Sequence, residues 1–315
     1  KKSKHSPFRS QVKEALSLLK GAFSLIILTN NQMVVARDRN GLRPLSLGKL
    51  GDAYVVASET SAFDLIGAEY VRDVEPGELL IISDKGIEVD RFAEKDRRAM
   101  CAMEYVYFAR PDSNIDGVNV HMARKRMGKE LAKEWKALGI EADVITGVPD
   151  SSISAAIGFA EESQIPYELG LIKNRYVGRT FIQPTQELRE RGVKMKLSPV
   201  VQVVKGKRVV MVDDSIVRGT TSKRIVRMLK EAGAVEVHVV ISSPPMTDPC
   251  YYGIDTSTHE ELIASSHNVE EIRAAIEADT LTFLTEEGMV RAINRPFDDV
   301  DGGLCMACFT GKYPT

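Results

Sequence analysis

The sequence predicts an α/β protein, a doubly wound parallel sheet preceded by a β-rich segment. Three observations point there. Between residues 21 and 92, short runs of β-branched residues alternate with turn residues. After about Arg97 the rhythm changes to apolar, strand-length runs separated by helical periods, the pattern of a parallel sheet covered on both faces. At 315 residues the chain is long enough for two domains.

The front strands are expected at GAFSLIILT (21–29), MVVAR (33–37), AYVVAS (53–58), ELLIIS (78–83) and GIEVD (86–90). Asn30-Asn31, Asn40-Gly41, Gly51-Asp52, Pro76-Gly77 and Lys85-Gly86 separate them, because Gly and Asn tolerate positive φ. Within 21–92 only SAFDLIG (61–67) reads as helix. Farther on, Met122, Met127, Leu131, Trp135 and Leu138 recur at helical spacing. A strand (ADVITGV), a loop (PDSS) and a helix (ISAAIGFAEE) follow, then a strand near 169–172. The last expected elements are a strand at 208–212, a helix over 222–231 and a strand at 235–241. The longest apolar runs, Phe23–Leu28 and Val200–Val204, have strand length. The change of rhythm divides the chain into 1–96, 97–285 and a tail at 286–315.

One stretch, Asn174 to Pro199, has no clean period. With Lys173 it holds seven basic residues (that lysine, Arg175, Arg179, Arg189, Arg191, Lys194 and Lys196) against two acidic ones. Long unpatterned stretches in compact domains are lids or disordered loops. Beside a phosphate site, a basic lid is the expected reading.

Composition narrows the function. Hydrophobic residues make up 43% and charged ones 27%, as in soluble globular proteins. A formal net charge of -2 gives no basic field for nucleic acid or an anionic membrane. No apolar run approaches the roughly 18 residues of a membrane span. The first residue is Lys, and KKSKHSPFRSQ lacks the apolar core of a secretory signal. It reads as a cut inside a longer protein, with the cytoplasm as its expected home. Four cysteines are too sparse for a secreted disulfide scaffold, leaving metal ligation or plain burial.

The segment RVVMVDDSIVRGTTSKRIVRML (208–229) carries the sharpest chemistry. A buried strand ends in two adjacent carboxylates, Asp213 and Asp214, and the following loop opens directly into a helix. Ligands of open α/β sheets bind at the carboxyl ends of strands. A helix N-terminus offers N–H groups and a dipole to a phosphate, and Gly219 lets the backbone approach closely. The acid pair can accept ribose hydroxyls and face a hard cation such as Mg²⁺. A plain acidic turn with Thr and Ser capping the helix would explain each part singly, but not all together. Cys101, Cys250 and the pair Cys305/Cys308 in Cys-x-x-Cys spacing could close a Zn²⁺ or a [4Fe–4S] site, and spacing does not choose between them.

VVMVDDSIVRGTTS (209–222) resembles the phosphoribosyl pyrophosphate (PRPP) motif of type I phosphoribosyltransferases. CAMEYVYFARPDS (101–113), GVPDSS (147–152), LGLIKNRYVGRTFIQP (169–184) and CMACFTGKYP (305–314) are similar to the amidophosphoribosyltransferases in particular. Within 21–82, GAFSLIIL, RDRNGLRPLSLG, YVVASET and DVEPGELLII resemble the later part of that family's glutaminase domain. The resemblance therefore implies a type I phosphoribosyltransferase sheet preceded by a remnant of an N-terminal-nucleophile glutaminase.

It also implies the first step of purine synthesis, 5-phosphoribosylamine from PRPP and ammonia released from glutamine. Asp213 and Asp214 would hold the ribose hydroxyls and one Mg²⁺ per subunit, with Ser151 as a further metal contact. Ser215, Ile216, Val217, Arg218, Gly219, Thr220, Thr221 and Ser222 would cradle the 5′-phosphate. Pro149, Asp150, Ser151 and Ser152 would meet the pyrophosphate, and Lys173 and Arg175 would belong to the closing lid. One branch of the family carries one [4Fe–4S] cluster per subunit, and Cys101, Cys250, Cys305 and Cys308 fit its four ligand positions. Purine-nucleotide feedback and a homotetramer come with the family. The family's glutaminase uses an N-terminal cysteine. No cysteine precedes Cys101 here, so the chain as it stands is expected to use free ammonia at best. A purine-salvage phosphoribosyltransferase or a PRPP-binding regulator would share the motif. The first would need neither the front segment nor four thiols, and the second should bring a basic DNA-binding module.

Overall fold

A computed structural model describes residues 7–94, 97–174, 197–295 and 303–314. They form two compact units. Unit 1 comprises Lys1–His121, Pro249–Ser257 and Asn294–Thr315, and unit 2 comprises Met122–Asp248 and Thr258–Ile293. These divisions differ from the changes of rhythm at 96/97 and 285/286. Patterning along the chain does not register that residues 97–121, 249–257 and the cysteine tail pack with the front strands.

Unit 1 opens with a helix that the polar start of the chain does not announce, α1 (Phe8–Ser17). Val12 and Leu16 lie one turn apart on its buried face. Arg9 and Lys13 reach Asp90 at 2.7 and 3.0 Å. The strands are β1 (Ser24–Leu28), β2 (Gln32–Arg37), β3 (Ser46–Leu50) and β4 (Ala53–Ala57). A short helix, α2 (Ser61–Ile66), leads to β5 (Glu69–Asp73), β6 (Glu78–Ser83) and β7 (Gly86–Arg91). They build two antiparallel sheets, ordered β1-β2-β6-β7 and β4-β3-β5.

β2 and β6 are near-continuous apolar runs because both their faces are covered. Val34, Ala36, Leu79 and Ile81 share a core with Val12 and Leu16, while Val35 and Leu80 share one with Leu47 of the second sheet and Leu45 just before it. A hairpin, Asn114–Ile115 with Val118–Asn119, turns at Asp116 and Gly117, both at positive φ.

Unit 2 carries α3 (Val120–Lys136, its first two residues in unit 1), β8 (Val144–Gly147), α4 (Ile153–Ser163), β9 (Leu171–Lys173) and β10 (Leu197–Pro199). It continues with α5 (Val201–Val204), β11 (Arg208–Asp213), α6 (Thr220–Glu231), β12 (Glu236–Ile241), α7 (Val269–Ile276), β13 (Thr280–Phe283) and α8 (Glu286–Ile293). The sheet is parallel throughout, in the order β8-β11-β12-β13. Its core joins Val209, Met211, Val237 and Val239 to Ile225 and Leu229 of α6 and Ile272 and Ile276 of α7.

Two expectations are corrected. The run near 169–172 forms a strand, but not one of this sheet: β9 pairs antiparallel with β10, while a Tyr167–Ile145 bridge and the Gly170 N–H on Thr146 Oγ1 hold the chain just before it against β8. Val200–Val204, of strand length, is instead a helical turn, whose residue Val204 is buried in the same core. Apolar runs this short suit either state.

Candidate functional site

Parallel pairing sets the ends of β8 and β11 side by side, so the loops that leave them meet. Val148 N donates to Val212 O at 2.9 Å, which starts the loop Val148–Ser152 beside the acid pair. Two consecutive serines then engage two consecutive aspartates. Ser152 Oγ donates to Asp213 Oδ1 at 3.0 Å, and the Ser151 hydroxyl donates to Asp214 Oδ2. Asp213 Oδ1 also accepts from Asp214 N at 2.9 Å, and Asp214 Oδ1 accepts from Ser215 Oγ at 2.9 Å.

Both carboxylates are buried. Burial, and then the neighbouring Asp214 charge, push Asp213 up to about 8. Burial likewise raises Asp214, against hydrogen bonds from Ser151 and Ser215 and the charge of Arg124. Arg124, a buried residue of α3, is one the sequence reading passed over. A buried acid pair is a poor resident anion and a good acceptor for a cation or for hydroxyl donors.

The rest of the predicted cradle follows in order. Ile216 is buried in the core, so it presents only backbone to a ligand. Gly219 adopts the left-handed conformation, φ 75°, immediately before α6. Ser222 is buried in the first turn of that helix. Asp150 pairs with Lys173 at 2.5 Å, which ties the loop after β8 to β9. The Pro149–Asp150 peptide is cis. Thus Ser151, Ser152, Asp213, Asp214 and Ser215 form one hydrogen-bonded group, with Lys173 joined to it through Asp150. Arg175 and the basic stretch as far as Lys196 lie outside the described residues.

The four cysteines lie in unit 1 and line one cavity, with Leu42, Arg43, Tyr252, Ile254 and Ala307. All four are free thiols. Burial pushes Cys305 up to about 11 and raises Cys101 and Cys308 as well. Cys308 is raised further by the nearness of Cys101, Cys305 and Cys250. Among the described residues, no three His, Cys, Asp or Glu side chains converge closely enough to hold a single metal ion.

The sequence profile of the phosphoribosyl transferase domain matches residues 115–273, which include all of the acid-pair site. Amidophosphoribosyltransferase of Bacillus subtilis (strain 168) is 68% identical over the whole chain, which spans 66% of that protein's length. The chain belongs to the amidophosphoribosyltransferase family. The family protein of Staphylococcus epidermidis is 52% identical, again over the whole chain and across 63% of its own length. A solved structure, glutamine PRPP amidotransferase from B. subtilis complexed with ADP and GMP, superposes with a TM-score of 0.93. It is 68% identical, over 99% of this chain and 68% of that one. The profile of the glutamine amidotransferase domain matches residues 4–65, the front strands of unit 1. The chain therefore spans about two thirds of the amidophosphoribosyltransferases it resembles.

Proposed function

We propose that this chain carries the phosphoribosyl-transfer chemistry of amidophosphoribosyltransferase. The observation that carries the reading is the acid pair at the end of β11, held by two serines from the neighbouring strand end and followed by a glycine-opened helix. In the reaction the bond from ribose C1 to pyrophosphate breaks, and the electron pair leaves with pyrophosphate. The lone pair of ammonia forms the new C1–N bond, and the attacking nitrogen then loses a proton. Asp213 and Asp214 would accept the ribose hydroxyls and fix the ring. The residues Ser215 to Ser222 would hold the 5′-phosphate at the start of α6, and Pro149 to Ser152 would meet the leaving pyrophosphate beside Lys173. A lid including Arg175 would exclude competing water.

The acid pair fits Mg²⁺. That cation is commonly held by one or two carboxylates plus substrate phosphates rather than by a preformed protein cage. When bound it would neutralise charge on the leaving group. Asp213, Asp214 and Ser151 are its proposed contacts. With PRPP, Mg²⁺ and ammonium chloride, the chain should release pyrophosphate and form 5-phosphoribosylamine. Asp214→Asn should lower turnover about 100-fold or more with the fold intact by circular dichroism. Retained turnover in that variant would remove Asp214 from the site.

The cysteine cavity supports a [4Fe–4S] cluster. Four thiols line it, the ligand number that either a [4Fe–4S] cluster or a tetrahedral zinc takes, and the family resemblance favours the cluster. Iron, sulfide and zinc analysis of anaerobic protein decides between them. The glutamine amidotransferase match supports glutamine as the nitrogen source of the whole protein. The ADP and GMP of the B. subtilis structure support purine nucleotides as regulators, testable by adding them to the ammonium assay. Sedimentation tests the tetramer that the family implies. A salvage enzyme or a PRPP-binding regulator would leave the amidotransferase match and the cysteine set without a role.

A further inference from the structure

The loop that opens α6 is backed by two short turns, His259–Glu261 and Ile263–Ser265, that no sequence motif singles out. Three contacts join them. Ile263 N donates to Val217 O at 2.8 Å. The Glu261 carboxylate pairs with the Arg218 guanidinium. Beneath Gly219, a Cβ would stand 3.2 Å from Ile263 Cδ1 and 3.4 Å from Ile276 Cγ2. The turns are themselves fixed. Leu262 is buried, Ile263 packs on the core of unit 2, and Ser265 Oγ donates to His259 O and Leu262 O at 2.8 and 2.7 Å.

We propose that Glu261 and Ile263 are positioning residues for the 5′-phosphate, holding Val217, Arg218 and Gly219 so that the backbone at the start of α6 is already aimed when the ligand arrives. Neither residue needs to touch the substrate. The inference rests on the PRPP reading above and deepens it. Backbone donors bind an anion strongly only when no reorganisation is needed at the moment of binding, and such preorganisation has to come from supporting contacts. Here one contact holds the carbonyl before Arg218, one holds its side chain, and one fills the space under Gly219. Glu261 also keeps the long Arg218 side chain engaged, which leaves the phosphate to the backbone and hydroxyls of the loop.

The test is calorimetry on the full 315-residue chain with Mg²⁺, using PRPP, ribose 5-phosphate and inorganic pyrophosphate as separate probes. Ribose 5-phosphate uses the cradle and the acid pair but not the loop Val148–Ser152, and pyrophosphate uses only that loop. Glu261→Gln and Ile263→Ala should each weaken ribose 5-phosphate and PRPP about fivefold, the scale of one partly exposed pair or contact. Pyrophosphate affinity should stay unchanged. In the ammonium assay KM for PRPP should rise while kcat holds, and Glu261→Asp should recover part of the loss. Ribose 5-phosphate bound equally or more tightly by the variants would overturn the inference, as would equal weakening of pyrophosphate. If the unsubstituted chain binds no PRPP, the site reading itself falls and takes this inference with it.

Discussion

Asp116 shows how one residue can concentrate the electrostatics of a unit. Its side chain is 2% exposed and meets Arg37 at 3.2 Å and Arg98 at 3.0 Å, while Arg295 donates to its backbone carbonyl. Arg98 is shared with Glu75 at 2.5 Å. Burial alone would raise the Asp116 pKa, but Arg37 and Arg98, aided by Arg295, hold it below the ordinary carboxylate value. A depressed carboxylate stabilises the fold fully above its unfolded pKa, about 3.9, and this contribution is lost as pH falls through the lower folded value. Asp116→Asn leaves buried guanidinium charge uncompensated and should cost about 3–5 kcal/mol at neutral pH. Urea unfolding of the two proteins should therefore differ most near neutrality and converge below about pH 4. A neutral-pH gap under about 1 kcal/mol would show instead that the arginines are satisfied without this carboxylate.

At the level of elements, helices α3 and α4 touch through glycines. A Cβ on Gly128 would land on the Ala155 carbonyl, and one on Gly158 on the Lys125 carbonyl. Backbone lies against backbone there, with no flexible side chain to give way. Gly158→Ala sets two effects against each other, a helix-propensity gain of about 1 kcal/mol and an overpacking cost of about 1–3 kcal/mol. The clash should win. The variant should melt lower by differential scanning calorimetry, and an unchanged or higher melting temperature would mean the helices can separate freely. The legible elements were those whose signal is local. β6 and β11 carry unbroken apolar runs and β12 one interrupted only by the buried His238, all covered on both faces, and the Asp213–Ser222 loop carries its chemistry in consecutive residues. β3 and β5 escaped because Gly48 and a bulge interrupt one, and Glu69, Arg72 and Asp73 leave only Tyr70 and Val71 apolar in the other. α1 is too short to be helical alone, and docking of Val12 and Leu16 supplies what its sequence lacks. The serine–aspartate ladder, Arg124 and the Glu261 turn bring together residues far apart in the chain, which periodicity does not report.

At the scale of the whole chain, unit 1 is assembled from three separate segments, and each supplies cysteine. Cys101 comes from the first, Cys250 from the second, and Cys305 and Cys308 from the third. Among the described residues these segments are tied by the Arg295–Asp116 hydrogen bond, by one from Arg43 Nη2 to Tyr252 O at 3.4 Å, and by ring contacts of Tyr251 and Tyr252 with Tyr313. Leu304–Cys305 forms a two-residue parallel ladder with Met100–Cys101, and the Tyr313 hydroxyl donates to Pro249 O at 2.7 Å. Burial disfavours thiolates here, so neutral thiols would leave the segments joined by these contacts and local apolar packing, with nothing linking all three at one point among the cysteines. A [4Fe–4S] cluster would take all four as thiolates and link the three segments at one point, so its binding free energy would become folding free energy of unit 1. Anaerobic protein should then be brown, with about four irons and four sulfides per chain. Cys305→Ser should bleach it and lower its melting temperature by several degrees. Hydrogen exchange should locate that loss in residues 249–257 and 303–314, with β11 and α6 as protected as before. A colourless or zinc-loaded protein would remove the cluster, and a bleached variant with undiminished protection in those two segments would show that they are held by packing alone.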